Sequence, residues 1–248
     1  MEVPTILKTV TSDSSLASQA YALVLDQMMQ GKLPVGSVLS RRKLAEEFKM
    51  SLVPVAQALQ RLEIEGIVES RPRAGTRVKA PSADEIRARF ELREALECQS
   101  ARLCAERATF GERLELRRLA ANLDILFTKA ASQGPNDDSG YAVNECHANL
   151  HMRIAAFSRS EFLNSAIQNN HVLIFNWLYD TAAGRRRLPD NFHKDLIAAI
   201  VQGNPREAED VMRGHVIYGL KAIQDAIEPL RGGNWRLKRQ SGLLTKTA

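Results

Sequence analysis

Apolar side chains in the first third of the chain recur every three or four residues in three separate runs. Leu16, Ala20, Leu23, Val24 and Met28 form the first, which closes at Gly31 before Pro34 and Gly36 break the chain. Ser40 stands where an N-cap belongs, ahead of the short run RRKLAEEF, whose Leu44, Ala45 and Phe48 share a face. Lys49 and Met50 make a tight turn, and Ser51 caps a third helix with Val55, Leu59 and Leu62 as its inner stripe. The opposite face of that helix centres on Val53, Gln57 and Gln60, with Ala56 and Arg61 beside them, and Gly66 ends it. The period then changes. IVES alternates like a strand, RPRAG reads as a turn and TRVKA as a returning strand. Three helices followed by a β-hairpin predict a winged helix-turn-helix, which offers the outer N-terminal residues of its third helix to a DNA major groove.

Pro81 and Ser82 mark a boundary, and from Ala83 to Leu230 the spacing is almost wholly helical. Breaks near Gly111, Gly134–Pro135, Ser158–Ser160, Gly184 and Gly203–Asn204–Pro205 predict about six helices, with SQGPNDDSG as a loop. The expected fold is therefore mostly α: an N-terminal winged helix-turn-helix domain at residues 1–80, an all-α helical bundle at 81–230, and a basic tail at 231–248.

Composition narrows the function classes. With 248 residues, 44% hydrophobic and 25% charged, the chain is an ordinary globular protein of one large or two ordinary domains. No stretch approaches the roughly 18 apolar residues of a spanning helix. The start, MEVPTILKTVTSDSS, lacks the basic-then-apolar order of a secretory signal, and Cys98, Cys104 and Cys146 read as reduced thiols of the cytoplasm. Charge is unevenly spread: net +3 over residues 1–80, net −3 over 81–230, and five basic with no acidic side chains in the tail. The basic clusters Arg41–Arg42–Lys43 and Arg71, Arg73, Arg77, Lys79 flank the helical pattern of the first domain, as a phosphate-binding surface requires.

The second domain holds all five histidines. His147 and His151 are four apart and share a helix face; His193 lies among Leu196, Ile197 and Ile200, and His215 among Ala208, Val211 and Met212. Three helices thus each turn imidazole toward an apolar interior, which a shared metal explains better than four separate core histidines. His171 belongs to no such pattern and reads as structural. Arg93 shares an apolar face with Ile86, Phe90 and Leu96, and Glu97 one turn on is a ready partner.

The segment GKLPVGSVLSRRKLAEEF…SLVPVAQALQRLEIEGIVESRPRAGTRV resembles the DNA-binding domain of the GntR family of bacterial transcription regulators. The runs FELREALECQSARLCAERAT, HMRIAAFSRSEFL and FHKDLIAAIVQGNPREAEDVMRGH resemble the FCD effector-binding domain of its FadR subfamily. The resemblance implies a homodimer on double-stranded operator DNA. Arg42 falls on the family's phosphate-contacting arginine and Gly75 on its wing glycine. Leu52 and Ala56 stand where the family usually has recognition-helix arginines, which implies an altered operator. The residues expected at the DNA are Arg41, Arg42, Ser51, Leu52, Val53, Gln57, Gln60, Arg61, Arg73 and Gly75. Glutamine suits adenine, and the apolar pair suits a thymine methyl. The resemblance also implies a divalent metal on His151, His193 and His215, with His147 at a position where the family commonly has Asp or Asn. An all-imidazole set favours zinc or nickel. Arg93 sits in the family's R-x-x-L-E run, which implies that it faces the effector; a guanidinium beside a metal suits a small carboxylate.

The expected function is thus a ligand-responsive transcription regulator in the cytoplasm. The alternative is a metal-dependent enzyme that activates water on the histidine cluster. No HExxH or nucleophile motif accompanies the histidines, and four protein ligands tend to close a site.

Overall fold

The computed structural model describes residues 15–72, 75–132, 139–183 and 188–231. The N-terminal part runs α1 (Leu16–Met29), β1 (Val38–Leu39), α2 (Arg41–Phe48), α3 (Leu52–Ile64), β2 (Val68–Arg71) and β3 (Gly75–Val78). The two strands expected of the hairpin are β2 and β3, antiparallel, with Val68 opposite Val78 and Arg71 opposite Gly75. Strand β1 was not expected. It pairs antiparallel with β3 and makes a three-stranded sheet in the order β1-β3-β2. Two residues are too few to show alternation, and only the partner strand defines this one.

Local chemistry fixes the helix ends. Ser40 Oγ accepts from the Lys43 amide at 3.3 Å at the head of α2, as its position predicted. Ser51 occupies the N-cap of α3 but makes no side-chain cap bond, contrary to the expected role. Lys49 turns the chain in the left-handed region (φ 55°) between α2 and α3. Gly66 (φ 76°) follows the C-cap of α3, and the Ile67 amide reaches back to Leu62 O at 2.9 Å. That six-to-one closure needs a left-handed residue, which glycine supplies without strain.

The C-terminal part is all helix among the described residues: α4 (Ala83–Arg107), α5 (Phe110–Ser132), α6 (Ser139–Phe157), α7 (Glu161–Asn169), α8 (Val172–Ala183), α9 (Phe192–Gln202) and α10 (Pro205–Arg231). That is seven helices, one more than expected, because His171 (φ 52°) separates α7 from α8. The break expected at Gly111 lies instead at Ala108–Thr109. Thr109 Oγ1 and the Glu112 carboxylate each accept the other's backbone amide, a capping box that places Gly111 inside α5. A second box, Ser82 with Glu85, opens α4. The expected breaks at Gly134–Pro135 and Gly184, Arg73 and all of the tail after Arg231 lie outside the described residues.

Helix α10 lies along α4, and α5 packs between α6 and α9. Their apolar faces form one continuous core with the N-terminal helices. Polar contacts also tie the two halves: Tyr141 Oη donates to Asp26 Oδ1 at 2.8 Å, His171 Nε2 lies 3.3 Å from Glu65 Oε1, and Lys79 pairs with Glu85. Glu65 takes further bonds from Tyr21 Oη (2.6 Å) and Arg61 Nε (2.9 Å). No helix among the described residues is long and apolar enough to cross a membrane.

Candidate functional site

The all-helical C-terminal half buries an unusual amount of polar chemistry. Helix α6 carries His147 and His151 on one face, and α10 carries His215 opposite them. Their Nε2 atoms converge: 3.1 Å between His147 and His151, 3.2 Å between His151 and His215, and 3.5 Å between His147 and His215. His193, on α9, is wholly buried, with its ring centre 5.3 Å from those of both His147 and His215. The four expected ligands are therefore neighbours, with three converging tightly on shared space.

Acidic side chains behind His151 and His193 set the tautomers of those two rings. Glu97 Oε2 lies 2.8 Å from His151 Nδ1, and Asp124 Oδ1 lies 2.7 Å from His193 Nδ1. A carboxylate at Nδ1 holds the proton there and leaves Nε2 with a free lone pair. The His193 Nε2 atom is buried without a hydrogen-bond partner. Clustered buried imidazole lone pairs suit a divalent cation, and the residues present fit one.

Charge in the cluster is strongly biased. Burial pushes His147 well below the usual imidazole range, reinforced by His151 and His193. Burial also lowers His193, although Asp124 opposes the shift. For Glu97 burial works to raise the carboxyl, but Arg93 and His151 overcome it and hold it at about 2. His147 and His193 are thus held toward the neutral, ligand-ready form, while the Glu97 and Asp124 carboxyls are held toward the charged one.

Arg93, on α4, is 3% exposed. Its Nε donates to Glu97 Oε1 at 3.1 Å and its Nη1 to Asn176 Oδ1, whereas Nη2 is buried with no partner. Asn176, on α8, also donates to Asp180 Oδ2 at 3.0 Å and comes within 3.5 Å of His147 Nδ1. A pocket beside the cluster is lined by His147, His193, His215, Phe127, Phe192 and Gly219, with Asp180 also at its wall. Phe192 stacks on the His215 ring and Phe127 on that of His193.

Asn176 and Asp124 escaped the sequence reading. Each is a lone polar residue among apolar neighbours, LIFNWL for Asn176 and LDILF for Asp124, and that mismatch was the available signal. Cys98 and Cys104 are buried, with thiols pushed by burial up to about 12, as core residues should be. Cys146 accepts a long bond from Asn122 Nδ2 at 3.7 Å, and burial raises its thiol.

The winged-helix half keeps its chemistry outside. Arg41 and Arg42 are exposed at the start of α2. Ser51, Leu52 and Val53 are exposed at the start of α3, Leu52 to 52% and Val53 to 64%, and Gln57 and Gln60 follow on the same helix. Arg61 is less available: besides pairing with Glu65, its guanidinium lies 4.0 Å over the Tyr21 ring. Gly75 opens β3 in the left-handed region (φ 75°).

The pattern of the gntR family of bacterial regulatory proteins matches residues 16–78, and that of the FCD domain matches residues 88–217. The chain belongs to the GntR family. This GntR-type protein is a transcription regulator with an FCD effector-binding domain, in a family of regulators rather than enzymes, so the metal-enzyme alternative is set aside. It is 25% identical to the HTH-type transcriptional regulator LutR of Bacillus subtilis over 209 residues, 75% of this chain and 91% of that protein. A probable D-xylose utilization operon transcriptional repressor of Paenarthrobacter nicotinovorans is 32% identical over 92 residues, 37% of this chain and 41% of its own length. The E. coli protein McbR/YncC shares the fold with a TM-score of 0.69 at 21% identity, over 86% of this chain and 98% of that one.

Proposed function

We propose that this regulator senses a small carboxylate at a metal held by its FCD domain. The convergence of three buried imidazole Nε2 atoms within 3.1–3.5 Å carries the reading. His147, His151 and His215 would hold the ion, with His193 completing or flanking the set, and the metal would supply a Lewis-acidic site for a carboxylate oxygen. Zinc or nickel fits an all-nitrogen set better than magnesium or calcium, which prefer oxygen donors. Arg93, with its buried unpaired Nη2, supplies a second charge for the same anion.

The regulator acts as a homodimer on operator DNA in the cytoplasm, one winged helix per half-site, with domains at 1–80 and 81–230. Arg41, Arg42 and the wing would hold phosphates; Leu52, Val53, Gln57 and Gln60 would face base edges. Elemental analysis of untagged protein purified without chelator tests the metal. Near-stoichiometric zinc or nickel is expected, with a melting temperature that falls on chelation and recovers on metal return. Less than a tenth of an equivalent of any transition metal, with no gain in melting temperature on adding zinc, nickel or manganese, would leave four hydrogen-bonded core histidines in its place.

A further inference from the structure

Helix α10 contains a glycine that its fold does not require. Gly219 is buried in the helix interior, where glycine is the least favourable residue apart from proline. Its backbone is not among those with positive φ. Close packing does not demand it either: a Cβ there would meet Phe90 Cε1 at 3.5 Å and Arg93 Nη1 at 3.7 Å, both ordinary contacts. Alanine would fit, and by helix propensity it would be preferred. What glycine provides is location. Gly219 lines the histidine pocket on one side, and its missing side chain faces Arg93 on the other. Arg93 in turn carries an Nη2 group that is buried without a partner, an uncompensated donor pair on a fixed cation.

We propose that Gly219 is the size gate of the effector site, keeping space open between the histidine cluster and Arg93 so that one compact carboxylate can meet both. This inference rests on the effector reading above and sharpens it. Charge among the described groups argues for a small acid: the Arg93 cation is already half-satisfied by Glu97, which leaves it one further anionic group to take. The ligand class is therefore a short monocarboxylate. A side chain at position 219 narrows the site without touching a histidine.

The test uses the full-length chain loaded with zinc, titrated calorimetrically with acetate, propionate and lactate. In Gly219→Ala, zinc affinity is expected to match wild type and the melting temperature to hold or rise. Affinity for the best of these acids is expected to drop at least tenfold, and most for the bulkiest. Gly214→Ala, an exposed glycine on the same helix with open space around it, should leave acid binding unchanged. Arg93→Lys keeps the charge and should weaken the same acids, but add little to the loss already present in Gly219→Ala, since both act on one ligand group. Acid affinity within twofold of wild type in Gly219→Ala, fully additive losses, or loss of zinc by that variant would each overturn the gate. If zinc-loaded wild type binds none of the acids, the carboxylate reading falls first and takes the gate with it.

Discussion

The two halves of this regulator place their chemistry in opposite ways. The winged helix buries an apolar core and exposes the described groups expected at the DNA, so the residues proposed to bind it are largely those its folding does not need. The effector domain buries Arg93, Glu97 and four histidines inside helices that also form its core. A surface site can change its side chains with little penalty to the fold, whereas a buried polar cluster survives only if every charge is matched. The exposed outer face of α3 and the closely partnered imidazole cluster are the two sides of that rule.

The sharpest way to break this contrast is Arg93→Ala. It strands Glu97 and the Asn176 amide in the core, and breaking a buried pair from one side costs about 3–5 kcal/mol. Chemical denaturation should show that loss with the metal removed; a loss below about 1 kcal/mol would mean the cluster is not truly buried.

The next effect is pH. His147 and His193 are held below their ordinary range in the fold, so between their unfolded and folded values the unfolded chain binds more protons. The stability they contribute is whole above about pH 6.5 and declines as pH falls through the histidine range. The slope is at most about 1.4 kcal/mol per pH unit for each ring. Glu97 and Asp124 follow at lower pH, since both carboxyls are also lowered in the fold. Metal-free protein should therefore begin to lose melting temperature well above the carboxylate range, and a flat profile down to pH 5 would contradict neutral buried imidazoles.

Changes at the exposed Gln57 and Arg42 of the winged helix should leave stability nearly untouched and act on DNA. Gln57→Ala is expected to remove about 1–3 kcal/mol of discrimination at one base pair, seen as a changed motif in a binding selection. Arg42→Ala should weaken all sequences alike and lower the salt slope by about one. Equal shifts in motif from both variants would erase the distinction between base-reading and phosphate-holding residues. The smallest effect is Ser40→Ala, which removes a cap bond at α2 and should cost about 1 kcal/mol of stability.

What was legible in the sequence follows the range of the forces involved. The helices of the winged domain, the Ser40 cap and the hairpin were readable because each is set by residues a few positions apart. The pairing of His147 with His151 was readable for the same reason, and the inward turn of His193 and His215 followed from their apolar neighbours. Strand β1 was not readable, since β3, nearly 40 residues on, makes it a strand. Asp124 and Asn176 reach His193 and Arg93 across separations of 69 and 83 residues, and no local period announces such contacts. The contact of Arg61 with the Tyr21 ring, on another helix, was likewise not readable from local spacing.

The junction between the halves has a thermodynamic consequence. Tyr141 with Asp26 and His171 with Glu65 are polar contacts between groups that water serves nearly as well, each contributing on the order of 1 kcal/mol net. Two arrangements of the winged helix that keep the shared apolar contacts and differ only by a few such bonds would be separated by a gap that a ligand can invert. A preference of about 1.4 kcal/mol for one arrangement changes their ratio tenfold. A molecule bound in the FCD domain would therefore need neither tight binding nor a large rearrangement of the core to bias the winged helix, only a preference for one placement over the other.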